Sequence, residues 1–430
     1  MERRELAGHG ATAEPDRRPP ALTISFVEFV ALVAALTAIT ALSIDIMLPA
    51  LPAIGTALGV NSENDRQLVV ILYMAGFAAG QLVYGPLSDR FGRRPVLLSG
   101  LAIFVAGTLG AVMAGSFDGL LLARLIQGLG AASPRIVAVA VVRDLYSGRQ
   151  MARVMSFAMM VFIIIPVLAP SAGQALLHVG DWRWTFYALL ILGVAISIWA
   201  GMRLPETSRG FQDGAPRLSL SQSFKQAVFE PQTIAYGAAG GFMFGSLLAY
   251  VASAQQIFVD IFDLGQMFPI VFGAVASVMA VASFINARLV GRLGMRCVSH
   301  TALAGFLVVS LLLAATEAAG IANLVTFVGL VAILFFLFGF IAPNFNALAM
   351  EPQGENAGMA SSVIGSLSTA IGAIAGGLIG RSFDGTALPL ALGFAGCSLI
   401  TVAIVLSVDG RRHFARPRRR AANEGSRLDV

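Results

Sequence analysis

The chain has 430 residues, 57% of them hydrophobic and 12% charged, with a net charge of +5. A soluble globular domain carries roughly a quarter charged residues, so this apolar content has no soluble core large enough to hold it and must face lipid. Lys225 is the one lysine, and the arginines lie between apolar runs without forming a soluble basic face, which sets nucleic-acid binding aside.

A crossing helix needs about 20 apolar residues, and only helices or closed barrels satisfy their backbone in hydrocarbon. The apolar runs here are continuous, not alternating, so the predicted class is an all-α membrane protein with twelve transmembrane helices. Residues 1–22 carry Arg3, Arg4, Arg17 and Arg18, and no small-residue cleavage site follows the first apolar run. That run reads as an uncleaved anchor behind a cytoplasmic segment. The N-terminal half, 23–204, holds predicted spans at 23–47, 67–87, 95–115, 119–142, 154–177 and 184–203. A polar linker at 205–231 follows, with a short surface helix expected at 219–229. The C-terminal half, 232–408, holds spans at 232–256, 267–289, 298–316, 322–349, 357–380 and 387–408, before a basic tail at 409–430.

Basic residues set the orientation. The N-terminal segment, the loops after spans 2, 4 and 8, the linker and the tail hold 24 of the 29. Both termini are therefore expected in the cytoplasm, with the tail arginines at the lipid headgroups. Cys297 and Cys397 suggest neither a disulfide framework nor a metal site, and the four histidines show no metal-ligand spacing. No G-x-x-x-x-G-K-[ST] loop occurs. No cofactor is expected, and energy must come from an ion gradient, worth about 2.3 kcal/mol per charge per 100 mV.

The loop after span 2 reads Gly85-Pro86-Leu87-Ser88-Asp89-Arg90-Phe91-Gly92-Arg93-Arg94-Pro95. Glycine permits a tight turn and close helix approach. Asp89 is placed to meet the N-terminus of a neighbouring helix, where the macrodipole favours an anion, with Arg93 as its ion-pair partner. Residues 85–94 match 287–296 at Leu87/Leu289, Arg90/Arg292, Gly92/Gly294 and Arg94/Arg296, and Gly291 stands where Asp89 would be. Both segments follow the second span of their half, which points to an internal repeat of two six-helix units.

Asp45 lies in the outer part of span 1, before Pro49 and Pro52. An ionised acid within a span costs on the order of 3 kcal/mol unless paired or hydrated, so Asp45 is the candidate to bind and release a proton. The alternative is an ionised aspartate at the interface. Arg124 lies at similar depth in span 4, either as its electrostatic partner or snorkelling to the outer headgroups. Arg135 follows eleven residues later, which is three helical turns plus roughly 20°. The two arginines thus share a face, expected to line the central passage. Arg135 would contact a substrate acceptor or anion there, or cap a neighbouring helix. Gln127, Tyr73, Asn344 and Phe340 are further candidates to line the passage, with helix bridging as the alternative for Asn344. Pro166 and Pro170 remove two backbone donors and should bend span 5. Glycine pairs at four-residue spacing, such as Gly76/Gly80 and Gly372/Gly376, mark close helix contact.

The 85–95 loop resembles the G-x-L-x-D-R-x-G-R-[KR] signature of the major facilitator superfamily. Arg124-Leu125-Ile126-Gln127-Gly128-Leu129-Gly130 resembles the family's R-x-x-Q-G-x-G segment. Together with Asp45, Ala169-Pro170, Asp181-Trp182-Arg183-Trp184 and Leu204-Pro205-Glu206-Thr207, these stretches are similar to the bicyclomycin/chloramphenicol-resistance branch of drug/proton antiporters. The resemblance implies a monomeric multi-pass protein of the bacterial inner membrane. It implies that Gly85, Asp89, Arg90, Gly92, Arg93 and Arg94 latch the cytoplasmic side, and that Asp45 and Arg124 couple protons to export of amphiphilic drugs. A transporter of a small metabolite or organic anion is the alternative, favoured by two arginines on one face. A membrane enzyme would need clustered His, Asp or Glu at catalytic spacing, and the sequence has none.

Overall fold

The first helix starts where Ser25 accepts the Glu28 amide at 3.1 Å, a side-chain N-cap. The computed structural model of the chain describes residues 24–146, 148–207 and 220–414. The N-terminal segment, the middle of the linker and most of the tail lie outside the described residues. Twelve long helices follow one another: α1 (Phe26–Asp45), α2 (Leu68–Phe91), α3 (Arg93–Val112), α4 (Phe117–Leu145), α5 (Gly148–Val179), α6 (Arg183–Arg203), α7 (Pro231–Gln255), α8 (Phe268–Leu293), α9 (Met295–Ala318), α10 (Leu324–Met350), α11 (Ala357–Arg381) and α12 (Leu388–Phe414). Among the described residues, eleven are long and apolar enough to cross a membrane, and α5 contributes the apolar stretch Ile164–Val179. The protein is a multi-pass membrane protein. The short helix Leu220–Phe229 packs on α11.

Two features differ from the expected spans. Helix α1 stops at Asp45 instead of running on to residue 47. Pro49 and Pro52 cannot continue it, but each sits in the first turn of a new short helix, where a missing N–H costs nothing. Asp45 is therefore the last residue of its helix. At the same end of the molecule α7 passes into a π-helical turn, Gln256–Ile261. Helix α5, by contrast, runs through Pro166 and Pro170 without interruption.

Glycines let the helices approach closely. A Cβ on Gly128 of α4 would overlap the Tyr73 carbonyl of α2, and one on Gly76 would overlap the Leu125 carbonyl of α4. Gly241 and Gly245 of α7 lie against Ile371 and Ala375 of α11 in the same way. Within the first six helices, Arg203 of α6 grips Glu28 of α1 through two bonds of 2.7 Å.

The repeat read from the sequence appears in the backbone. Gly92 (φ 97°, ψ 155°) and Gly294 (φ 82°, ψ 154°) take the same left-handed turn between the second and third helix of each set. Arg93 then pairs with Asp89 (2.5 Å) and with Asp144 at the end of α4 (2.8 Å). Arg296 pairs with Glu351 just past α10 (3.0 Å) and with Asp409 of α12.

The two sets of six meet along α2 against α11 and α5 against α8. Helices α2 and α11 run antiparallel in a steady register. Gly85 faces Ser362, Gln81 donates to Thr369 (2.7 Å), and Gly377 faces Ile71. At the end away from the basic loops, neutral amides interleave the two sets. Gln67 donates to Gln256 (2.6 Å), Gln256 to Asn64 (3.1 Å), and Asn64 to the carbonyls of Arg381 (3.0 Å) and Phe383 (2.7 Å). An ion pair, Asp65 to Arg381 at 2.9 Å, lies beside them.

Replacing Gly128 by leucine should force α2 and α4 apart, at a cost of about 1–3 kcal/mol or more. The expected readout is an apparent melting temperature several degrees lower in detergent. The same change at Gly115, which has no neighbour within 4 Å of a Cβ position, should leave the melting temperature unchanged.

Candidate functional site

Arg124 is fully buried on α4. Its Nε donates to the Val69 carbonyl of α2 (3.0 Å), one Nη to the Ser43 carbonyl of α1 (3.1 Å), and the other Nη to the Gln127 side chain. Gln127 in turn donates to Thr108 of α3 (2.8 Å). Ser43 belongs to the last turn of α1, whose carbonyls lack helical partners. The guanidinium therefore caps the negative end of that helix. It also lies 4.4 Å from the centre of the Tyr73 ring, a cation–π contact. Tyr73 is itself buried, with its hydroxyl donating to the Thr40 carbonyl (3.3 Å). Arg124 and the Gln127 it holds thus tie four helices together.

Asp45 closes the same helix end two residues beyond Ser43. It is 5% exposed, and among the described residues no hydrogen bond or ion pair reaches its carboxylate. The cation and the acid share a level in the bundle, but the arginine bonds to the backbone beside Asp45 and not to the acid. An ionised carboxylate there is uncompensated by any direct partner.

The two arginines of α4 differ sharply in setting. Arg124 is sealed among helices, whereas Arg135 is exposed, with its guanidinium 5.9 Å from the Phe77 ring centre. Tyr73 and Phe77 stack at 6.5 Å on α2, so an aromatic pair lies between the two cations. Of the other residues expected to line the passage, Gln127, Tyr73, Asn344 and Phe340 are all buried. Asn344 donates to Asn286 of α8 (2.8 Å) and to the Phe340 carbonyl (2.7 Å), and so bridges α10 to α8. Asn286 is a partner that sequence spacing did not single out, because helix contacts across 58 residues leave no local signal.

At the basic end, Arg93 holds Ser88 (2.8 Å), Asp89 and Asp144. Glu206, from the Leu204-Pro205-Glu206-Thr207 segment, accepts the backbone amides of Arg93 (2.8 Å) and Arg94 (3.1 Å). It thereby caps the N-terminus of α3. Asp89 reaches the first turn of α11: its Oδ2 lies 3.8 Å from the Cβ position of Gly358, and an Nη of Arg143 lies 3.9 Å from the same position. Gly85 abuts Ser362, and Gly92 supplies the turn. Arg90 is exposed and lies over Phe91 at 5.4 Å, while Arg94 donates to the Gly201 carbonyl. Pro166 and the buried Pro170 precede Gly173, whose Cα lies against the Ile46 carbonyl next to Asp45. Among the described residues, no group of three or more His, Cys, Asp or Glu is placed to hold a metal.

Known proteins agree with this architecture. The chain is 29% identical to the bicyclomycin resistance protein homolog of Haemophilus influenzae over 363 residues, which is 84% of this chain and 90% of that one. It is 30% identical to multidrug resistance protein D of Escherichia coli, over 75% of this chain and 80% of that one. These relatives bear out the resemblance read from the sequence. The xylose transporter XylE from E. coli, in a partially occluded inward-open conformation, shares the fold with a TM-score of 0.69 at 12% identity, over 89% of this chain and 97% of that one. Residues 33–377 match the model of the Major Facilitator Superfamily, and the chain belongs to that family of membrane transporters.

Proposed function

We propose that the protein exports amphiphilic drugs across the bacterial inner membrane in exchange for protons, by alternating access between its two six-helix halves, 23–204 and 232–408. The basic loops then mark the cytoplasmic face, with both termini on it. The resistance names of its relatives support the cargo class. The observation that carries the coupling is Asp45: a buried carboxyl with no described partner, on a helix end that Arg124 compensates.

The cycle follows from charge burial. In the outward-open state Asp45 has released its cargo and takes a proton. The neutral side chain crosses the closed, dry intermediate without the cost of an unpaired charge. Facing the cytoplasm, it exchanges the proton for cargo. Arg124 is a positioning residue in this scheme. It holds positive potential next to Asp45 through the α1 backbone, and each of its three nitrogens already donates to a protein oxygen. Arg135, the exposed cation of the pair, is offered to cargo. The driving force is the proton gradient, and no cofactor takes part. The cluster of Asp89, Arg90, Arg93 and Arg94 with Gly85 and Gly92 acts as the cytoplasmic latch, with Asp89 on the first turn of α11. An organic-anion carrier would draw on both arginines, and Arg124 is committed to protein carbonyls.

Asp45→Asn should leave a folded protein that no longer couples: chloramphenicol efflux from proteoliposomes should fail to respond to an imposed pH gradient. Undiminished pH-driven efflux would remove Asp45 from the mechanism. Arg124→Lys should lower both efflux rate and melting temperature, because an ammonium cannot match the planar fork to three acceptors. Wild-type values for that variant would show that the charge alone suffices. Asp89→Asn should slow turnover while leaving equilibrium drug binding within about twofold, since a latch acts on the change between states. A loss of binding equal to the loss of rate would instead place Asp89 in the cargo site.

A further inference from the structure

At the end away from the basic loops, a crevice of about 330 Å³ opens between the two halves, on the opposite seam from the interleaved amides. Pro49 and Leu177 wall it from the α1 and α5 side, and Phe268 from the α8 side. Among the described residues its polar lining is three glutamines, Gln174, Gln255 and Gln266, with no ionisable group. The crevice is open and at the low end of the volume of small-molecule sites, about 300–1,000 Å³, but like them it sets isolated polar groups in an apolar wall.

Gln255 carries the argument. It is 7% exposed, and its amide has no hydrogen-bond partner among the described residues. Its amide atoms are not sealed off in the protein but reach the crevice, so their hydrogen-bonding capacity is open to water or to an occupant. Its neighbour in the chain, Gln256, is fully engaged: it accepts from Gln67 and donates to Asn64 in the interleaved seal. Gln255 is the last α-helical residue of α7, and Gln256 the first of the π-helical turn. The crevice and the seal thus draw on adjacent residues at the end of one helix. The crevice also starts at the height of Asp45. Gly173 lies against the Ile46 carbonyl, so the next residue, Gln174, sits level with the acid.

We infer that this crevice is an exit-side binding station for an uncharged amphiphile, which lays its apolar body on Pro49, Leu177 and Phe268 and gives a hydrogen-bonding group to the Gln255 amide. The inference rests on the export reading above and names where cargo pauses after it leaves the level of Asp45. A charged group would find no counter-ion there. A lipid tail would fill the walls and leave Gln255 without a partner. An occupant that shifts Gln255 also moves Gln256 and loosens the seal, so arrival of cargo and opening of the far end are linked.

The test uses the full chain in lipid nanodiscs, with chloramphenicol as the uncharged probe. Gln266→Cys, in a background where the exposed Cys297 is serine, is labelled with a membrane-impermeant maleimide. At a drug concentration ten times the dissociation constant, labelling should slow about tenfold by simple occupancy. Adding Gln255→Leu should weaken that protection roughly tenfold in drug concentration, the effect of one lost hydrogen bond. The leucine variant should also melt no lower than its parent, because the amide it removes makes no hydrogen bond within the described residues. Loss of protection with an unchanged melting point therefore cannot be ascribed to misfolding. No protection at any drug concentration, or protection that Gln255→Leu leaves intact, overturns the station. So does a co-purified lipid that the drug does not displace. Export by the wild type is measured in parallel. Protection without export keeps the station and sinks the export reading, and export without protection does the reverse.

Discussion

A guanidinium buried without a carboxylate has to be held by dipoles, and Arg124 is held by the Ser43 and Val69 carbonyls and the Gln127 amide. Desolvating that charge is costly, and removing any acceptor would leave it uncompensated. The geometry of α1, α2, α3 and α4 is therefore set jointly, because a shift in any of them breaks a bond to one cation or to the glutamine that orients it. The glycine contacts allow this. Gly76 and Gly128 at the α2–α4 crossing let the two backbones come close where the arginine meets the Val69 carbonyl of α2, while α4 packs on α1 directly.

The same cation gives Asp45 its character. An acid at the C-terminal end of a helix faces the negative pole of the macrodipole, and burial removes the water that would screen it. Arg124 offsets the pole by capping Ser43, yet it stops short of the carboxylate. The carboxylate is thus left without a direct partner among the described residues, beside a helix end whose charge is offset through the backbone.

The two seams between the halves have different chemistry. Along α2 and α11 the contact is polar and registered, from the neutral amides at one end to Gln81–Thr369 and the Asp89 region at the other. Neutral amides carry no charge that titrates, so that seal does not respond to pH by itself; Asp65–Arg381 beside it is an exposed pair and weakly stabilising. Along α5 and α8 the contact is apolar, with Gly273 on Val167. Apolar packing is non-directional, so this seam carries no register of the kind the hydrogen bonds impose along α2 and α11. Charge clusters recur at the basic end of both halves, around Arg93 and around Arg296, each after a glycine in the same left-handed turn.

Composition and run length alone dictated a bundle of membrane helices, because no other backbone arrangement satisfies its hydrogen bonds in hydrocarbon. The glycine and arginine pattern at 85–94 and 287–296 marked the repeat, since a left-handed turn nearly demands glycine at Gly92 and Gly294. Asp45 and Arg124 stood out because charge within an apolar run is expensive wherever it ends up. Which groups those charges would meet was not legible. The spacing of Arg124 and Arg135 put both on one face, but the packing of α2 on α4 sealed the first among backbone carbonyls and set the second over the Phe77 ring. Asn344 was visible as a polar residue in an apolar helix, while its partner Asn286 was fixed by how α8 lies against α10. Pro49 and Pro52 were plain in the sequence, but only the folded chain made Asp45 a helix terminus and set Gln255 unpaired beside a seal built on Gln256. Local chemistry is written residue by residue, and pairing between helices hundreds of residues apart depends on crossing angles that arise only when all twelve are packed together.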